Sequence, residues 1–163
     1  MRPFTVSSTI DAPRERVFDY LADIANHVEF TDHFLKDFRL ERMDSVGVGA
    51  AARFRMTSPI GSMWAELVIT GVEPPYRIVT EGQTGRLGRL KLTAVWTLTR
   101  HDLAMTRVEL TFSSEPATHT DRLREMLGMR AWLRLQYGRA LRRLKFVLEQ
   151  GEPSARAVRV APG

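Results

Sequence analysis

Residues 27–34, HVEFTDHF, place two histidines and two carboxylates beside two phenylalanines. Imidazole and carboxylate groups ligate metals and transfer protons, so the segment could be a metal site. It could also be the mouth of a binding pocket or a short amphipathic helix. Its spacing is not HExxH, and His27 lies six residues from His33, on another face of any helix. We therefore predict no metal ligand here.

Other catalytic patterns are missing from the sequence. There is no GxSxG nucleophile elbow, and the glycines near residue 85 are not followed by the GK[ST] of a phosphate-binding loop. The absence of cysteine excludes thiolate metal sites, Fe–S clusters and a cysteine nucleophile. We expect no cofactor and assign no catalytic residue.

Two polar residues, Arg130 and Tyr137, fall on an apolar stripe. At 100° per residue, Arg130 projects between Met126 and Leu133, and Tyr137 follows two turns later. Since an unpaired buried guanidinium costs several kcal/mol, Arg130 should reach water, or pair with a carboxylate, a backbone carbonyl or a ligand. A change of helix phase at Gly128 would alter this placement.

A long helix over 119–149 must position these residues, and two shorter helices are predicted near the start of the chain. Pro13, Asp11 and Glu15 suit the first turn of the first helix, and a short second helix could cover 26–33. Hydrophobic periodicity of two predicts strands over 3–10, 34–43, 49–57, 62–72, 76–82, 87–99 and 103–113.

The turns between the strands suggest their registers. A two-residue loop at Pro59–Ile60 would set Met56 opposite Met63, and a three-residue loop at 100–102 would set Leu98 opposite Ala104. Short connections require antiparallel pairing. Strands in one block with helices at both ends predict an α+β fold, with a single domain over 1–150 and a flexible tail over 151–163.

The charge is concentrated in the predicted long helix. Of the net +5, residues 120–150 contribute eight Lys or Arg against three Asp or Glu. No nucleic-acid module is recognised, so we expect no nucleic-acid partner, although weak contact with an anionic membrane surface stays open. No apolar stretch reaches the length of a membrane span and the first residues do not resemble a signal peptide, so we expect a cytoplasmic protein. The oligomeric state is not readable.

Several motifs resemble those of one superfamily. APRERVFDYLADIANHVEF is similar to the helix pair that opens START-like proteins, also called SRPBCC or helix-grip proteins. GVGAAARFRM resembles the entry to their third strand and VEPPYRIV the following proline hairpin, while TRVELTF and RALRRLKFVLE resemble the last strand and the end of the last helix. The resemblance covers about residues 3 to 150, and the polyketide cyclase/dehydrase-like branch is the most similar.

The resemblance implies a seven-stranded curved antiparallel sheet wrapped around the long helix, with an elongated apolar cavity between them. It also places segment 27–34 at the cavity mouth, so Phe30 and Phe34 would close the cavity among solvated polar neighbours. The expected partner is a hydrophobic small molecule such as a lipid, polyketide, aromatic or quinone. The side chains predicted to bind it are Phe30, Phe34, Phe54, Met56, Leu67, Trp96, Leu98, Met129, Arg130, Leu133 and Tyr137.

Three functions remain open at the level of sequence. The first is a carrier of a hydrophobic ligand, and the second is an aromatase/cyclase-type enzyme in which Arg130 would hold an enolate or carboxylate and Tyr137 would relay a proton. The third is a module that docks its basic C-terminal helix on an anionic membrane or an acidic partner. We lean towards the carrier, because no His, Asp or Glu can be placed in the cavity from the sequence.

Overall fold

The computed structural model describes residues 1–84, 90–115 and 128–150, together with the backbone of Arg159–Val160. Seven antiparallel strands form most of it, as predicted. They are β1 (Phe4–Ile10), β2 (Leu35–Leu40), β3 (Ala51–Ser58), β4 (Gly61–Glu73), β5 (Arg77–Thr84), β6 (Leu90–Arg100) and β7 (Thr106–Glu115). The helices are α1 (Arg14–Ala22), a 3-10 turn (Ile24–Asn26), α2 (His27–Thr31) and α3 (Arg130–Gln150).

The strands form one curved sheet in the order β1-β7-β6-β5-β4-β3-β2. Two irregularities bend it: the β4–β5 register shifts between Ile69 and Gly71, and the β2–β3 register shifts between Lys36 and Arg39. Such bulges increase the local twist and bend the strand that carries them. At the β2 edge the two-residue strand β8 (Arg159–Val160) pairs in parallel.

The β3–β4 hairpin has the predicted register. Met56 lies opposite Met63 and Ala52 opposite Leu67, across the tight turn at Pro59–Ile60. Because side chains alternate along a strand, this register sends the apolar set to the inner face of the sheet and leaves Arg53 outside.

The predicted β6–β7 register is wrong. Leu98 lies opposite Val108 rather than Ala104, because the loop spans five residues, 101–105. Asp102 holds this longer loop by accepting hydrogen bonds from the backbone N–H groups of Ala104 and Met105, at 2.8 and 2.9 Å. The error is four residues, an even number, so the inward face of each strand is still the predicted one.

The two short helices lie close to the predicted ranges. Helix α1 begins after Pro13, carries Glu15 in its first turn, and buries Val17 and Leu21. The Asp23 side chain then accepts a hydrogen bond from the Ala25 N–H, which caps the 3-10 turn leading into α2.

The long helix α3 packs against β1 and α2. Its predicted first part, residues 119–127, lies outside the described residues, as do 151–158 and 161–163 of the predicted tail. Gly128 has a φ of +90°, outside the right-handed helical region, two residues before α3 begins at Arg130. No helix of the described residues is long and apolar enough to cross a membrane.

Candidate functional site

Aromatic rings fill much of the space between the inner face of the sheet, α2 and α3. The Phe30 and Trp96 rings meet edge to face with centroids 6.0 Å apart, and Phe34 and Tyr137 do the same at 5.2 Å. Phe112 lies 5.3 Å from Tyr137 on the side of the sheet. Such rings offer a large apolar contact area with preferred geometries for other flat rings.

The structure brings most of the predicted ligand-contacting side chains into this one cluster. Eight of the eleven are buried within it: Phe30, Phe34, Phe54, Met56, Trp96, Leu98, Leu133 and Tyr137. Leu67 and Met129 are half-buried and pack against the same cluster. Contact of any of them with a ligand stays a prediction.

Arg130, the eleventh residue, is half-buried at the edge of the sheet. Its guanidinium donates to the backbone oxygens of Arg2 and Pro3, at 3.2 and 3.1 Å, just before β1 begins. Pairing with a backbone carbonyl was one of the expected arrangements for this side chain. These two bonds give Arg130 a structural partner, and a role towards a ligand stays a prediction.

The polar groups of segment 27–34 are not the solvated neighbours that we expected. The Glu29 carboxylate accepts a 2.6 Å hydrogen bond from the Tyr20 hydroxyl, and the Thr31 hydroxyl donates to the His27 backbone oxygen at 2.6 Å. The segment contains the short helix α2, and its polar side chains form hydrogen bonds to α1 and within α2 itself.

His33 and Asp32 attach α2 to α3 through Arg143. Nη1 of Arg143 lies 2.5 Å from Asp32 Oδ1 and 3.1 Å from His33 Nδ1, while His33 Nε2 contacts the Gln136 backbone oxygen at 3.2 Å. Since a guanidinium only donates, Nδ1 must accept and Nε2 must carry the proton. Burial, followed by the nearby Arg143 charge, lowers the pKa of His33 despite the opposing effect of that carbonyl.

His27 lies inside the aromatic cluster. Its ring centroid is 5.3 Å from that of Phe30 and 6.0 Å from that of Trp96. Its Nε2 lies 2.9 Å from the Leu21 backbone oxygen, so Nε2 is the protonated nitrogen and Nδ1 carries the lone pair. Burial lowers the pKa of His27, which keeps the ring neutral. Its spacing of three residues from Phe30 could have placed it on this inner face.

Two neighbouring residues of α3, Gln136 and Tyr137, carry polar groups and are buried. They are 8% and 7% exposed, yet neither side chain has a hydrogen bond within the part of the chain that the structure describes. Burial also raises the pKa of Tyr137 well above its usual range, so the hydroxyl stays a donor. Gln136 was missed in the sequence, although it lies three residues after Leu133 on the inner side of the helix.

Three buried residues carry polar atoms that have no hydrogen-bond partner among the described residues. His27 Nδ1, the Gln136 amide and the Tyr137 hydroxyl are not fully enclosed, whereas Arg14 Nε is fully enclosed and also has no partner. Buried polar groups are nearly always hydrogen-bonded, so these three can accept or donate a bond to water or to a bound molecule.

Trp132 widens the inner face of α3 beyond the apolar stripe predicted from helical periodicity. Its position lies off that stripe, yet it is half-buried and packs edge to face on Phe34 with ring centroids 6.0 Å apart. Leu135, which is also off the stripe, is 51% exposed.

No group of three or more His, Asp or Glu side chains within the described residues is arranged to hold a metal ion. His27 and His33 instead contact backbone oxygens of Leu21 and Gln136.

Comparison with known families gives one match that spans nearly the whole chain. A family model described as "Polyketide cyclase / dehydrase and lipid transport" matches residues 1–149. No curated protein sequence matches the chain.

Solved structures share the fold at low sequence identity. TTHA0849 from Thermus thermophilus aligns with a TM-score of 0.71 and 15% identity, over 90% of this chain and 96% of that one. A protein from Arthrobacter aurescens gives 0.64 and 18%, over 91% and 87%. DynU16, a protein of the dynemicin biosynthetic locus, gives 0.63 and 18%, over 94% of this chain and 49% of that one. Likeness at this level concerns the fold alone.

Proposed function

Because the chain belongs to the family of polyketide cyclases, dehydrases and lipid transport proteins, we propose that it binds a hydrophobic small molecule between the sheet and α3. The bound molecule would be flat or aromatic and would carry at least one oxygen. The chain would act as a carrier or binding protein for it.

The observation that carries this proposal is the pair of buried, unpartnered groups on α3. The Tyr137 ring lies beside the rings of Phe34 and Phe112, and Gln136 is the buried residue that precedes it on the helix. An apolar wall with a few convergent polar groups is typical of small-molecule sites. A carbonyl or phenol oxygen could accept a hydrogen bond from either side chain while the rest of the molecule contacts the rings.

The proposal can be tested with two ligands that differ by one hydroxyl. Naphthalene and 1-naphthol would each be titrated against protein loaded with a fluorescent hydrophobic dye. We expect both to displace the dye and 1-naphthol to bind about fivefold more tightly, the contribution of one neutral hydrogen bond. Tyr137→Phe combined with Gln136→Leu should remove this preference.

Tyr20→Phe is the matched control, since the Tyr20 hydroxyl is already bonded to Glu29 and should not affect the preference. Failure of both compounds to displace the dye would contradict the proposal. So would an unchanged preference in the double variant.

A second candidate function is catalysis of a cyclisation, and His27 favours it. Its Nδ1 lone pair has no partner among the described residues and lies beside Trp96 and Phe30. A neutral imidazole can take a proton from carbon next to a carbonyl, as aldol-type ring closure requires. The family description includes such enzymes.

Incubation with a poly-β-ketone thioester, followed by mass spectrometry of the products, would test this function. We expect His27→Gln to abolish ring closure while dye binding persists, because Gln can still donate to the Leu21 backbone oxygen. Equal product from wild type and variant would rule out His27 as the base.

A further inference from the structure

Helix α3 has an exposed outer stripe formed by Leu135, Arg139, Arg142 and Phe146. Their spacing of four, three and four residues places them on one face of the helix. Leu135 is 51% exposed and Phe146 is 65% exposed, so this face presents two large apolar side chains to solvent together with the arginines. From Leu135 to Phe146 the stripe is about 16 Å long, at about 1.5 Å per residue.

The arginines of this face have no partners within the described residues. Arg139, Arg142 and the adjacent Arg134 are exposed and make no ion pair there. The basic residues on the flanks differ: Arg143 is held by Asp32, and Lys145 Nζ donates to the Thr9 backbone oxygen at 2.7 Å. Arg143 and Lys145 therefore bind α3 to other elements of the fold, whereas Arg139 and Arg142 have no partner among the described residues.

Acidic groups near the stripe do not cancel its charge. Glu149 is the acidic residue of α3, at its far end. It lies 3.3 Å from the ammonium of Lys145 and accepts a hydrogen bond from the Asp11 N–H. The outer stripe therefore presents two positive charges, Arg139 and Arg142, between two large apolar side chains, Leu135 and Phe146.

We propose that this outer stripe docks on the surface of an anionic lipid bilayer. Arginine side chains there would contact lipid phosphates, while Phe146 and Leu135 would enter the boundary between headgroups and acyl chains. A row of side chains along the outside of one helix suits a continuous charged surface, because all of its members can contact that surface at once. The proposal concerns the outside of α3 and does not depend on what the interior binds.

Co-sedimentation with vesicles tests the proposal. The vesicles would contain phosphatidylcholine alone, or phosphatidylcholine with phosphatidylglycerol. We expect binding to the anionic vesicles, weak binding to the neutral ones, and loss of binding as salt screens the charges. The double variant Arg139→Glu/Arg142→Glu should bind at least about 25-fold more weakly, since loss of each basic residue near an anionic surface costs roughly fivefold and the new carboxylates are repelled.

The control is Arg16→Glu/Arg42→Glu, which makes the same change in net charge at exposed positions outside α3. It should retain most of the binding. Equal binding to neutral and anionic vesicles would overturn the proposal, as would no binding to either. Equal loss in the two double variants would also overturn it, because net charge rather than the stripe would then be responsible.

The apolar part of the stripe has its own control. Leu135→Ser/Phe146→Ser should weaken binding to anionic vesicles at least tenfold, the contribution of burying roughly one large apolar side chain. Met43→Ser/Leu103→Ser changes two side chains that are each 90% exposed on other loops, and should leave binding unchanged. If the two serine pairs behave alike, insertion of the stripe is refuted.

Discussion

Removing the Tyr137 hydroxyl should stabilise the protein, whereas removing the Tyr20 hydroxyl should destabilise it. Both tyrosines are nearly buried, at 7% and 8% exposed. The Tyr137 hydroxyl has no hydrogen bond within the described residues, while the Tyr20 hydroxyl donates to the Glu29 carboxylate at 2.6 Å. The same substitution, Tyr→Phe, therefore removes an unpaired polar group at one site and a charge-assisted bond at the other.

The magnitudes follow from these contacts. Burial of an unpaired hydroxyl costs about 1–3 kcal/mol. The Tyr137 hydroxyl is not fully enclosed, so we take the lower end and expect Tyr137→Phe to gain about 1 kcal/mol. Loss of a hydrogen bond to a charged group costs about 1.5–3 kcal/mol, so Tyr20→Phe should lose about 2 kcal/mol. For a chain of this size, each 1 kcal/mol shifts Tm by about 2–4 °C.

Urea and thermal unfolding of the ligand-free protein, followed by circular dichroism, would measure both effects. We expect Tyr137→Phe to unfold about 3 °C higher than wild type and Tyr20→Phe about 6 °C lower. Destabilisation by Tyr137→Phe comparable to that of Tyr20→Phe would refute the reasoning, because it would mean that the hydroxyl has a strong partner inside the protein.

Three further predictions concern packing, an ion pair and pH. Gly82→Ala should lower the free energy of unfolding by about 1–3 kcal/mol, because the new Cβ would lie 2.1 Å from the Glu66 backbone oxygen. Gly71→Ala is the control, since the closest contact of its Cβ is 3.7 Å, and urea unfolding should show little change for it. Arg143→Met removes the ion pair with Asp32 and should lower the free energy of unfolding by about 1 kcal/mol, a small value because both side chains are partly exposed. The loss should be smaller in high salt, because salt screens the ion pair. His27 and His33 have folded pKa values below 6.5, so the folded state binds protons more weakly than the unfolded state. The stability that the two neutral histidines contribute should be fully present above about pH 6.5 and should be lost as the pH falls below it. A Tm that rises as the pH falls below this value would contradict the prediction.

The local pattern of the chain was enough to predict the architecture. The apolar alternation over β3 and β4 and the Pro59–Ile60 turn fixed a register that the structure has. The β6–β7 register failed because loop length there depends on the Asp102 side chain, whose bonds to Ala104 and Met105 leave no signal in hydrophobic periodicity.

The candidate site was predictable in its apolar part and not in its polar part. An apolar side chain such as Phe34 or Trp96 goes inside wherever the pattern points inward, because burial of apolar area needs no specific partner. A hydrogen bond needs one particular atom at about 3 Å, so it depends on how distant segments meet. Arg130, for example, donates hydrogen bonds to the backbone oxygens of Arg2 and Pro3, which are more than a hundred residues away in the sequence. Local sequence pattern could not have identified these partners.

The sequence by itself thus determined the strands, the helices, the inward apolar faces and the excess of positive charge on the last helix. Only the tertiary structure decided which polar groups form hydrogen bonds or ion pairs within the protein and which do not. Arg143 is fastened to Asp32, while Tyr137 on the same helix remains without a partner among the described residues. The physical reason is range: hydrophobic periodicity is a property of neighbouring residues, whereas pairing of a polar atom is settled by contacts between elements far apart in the chain.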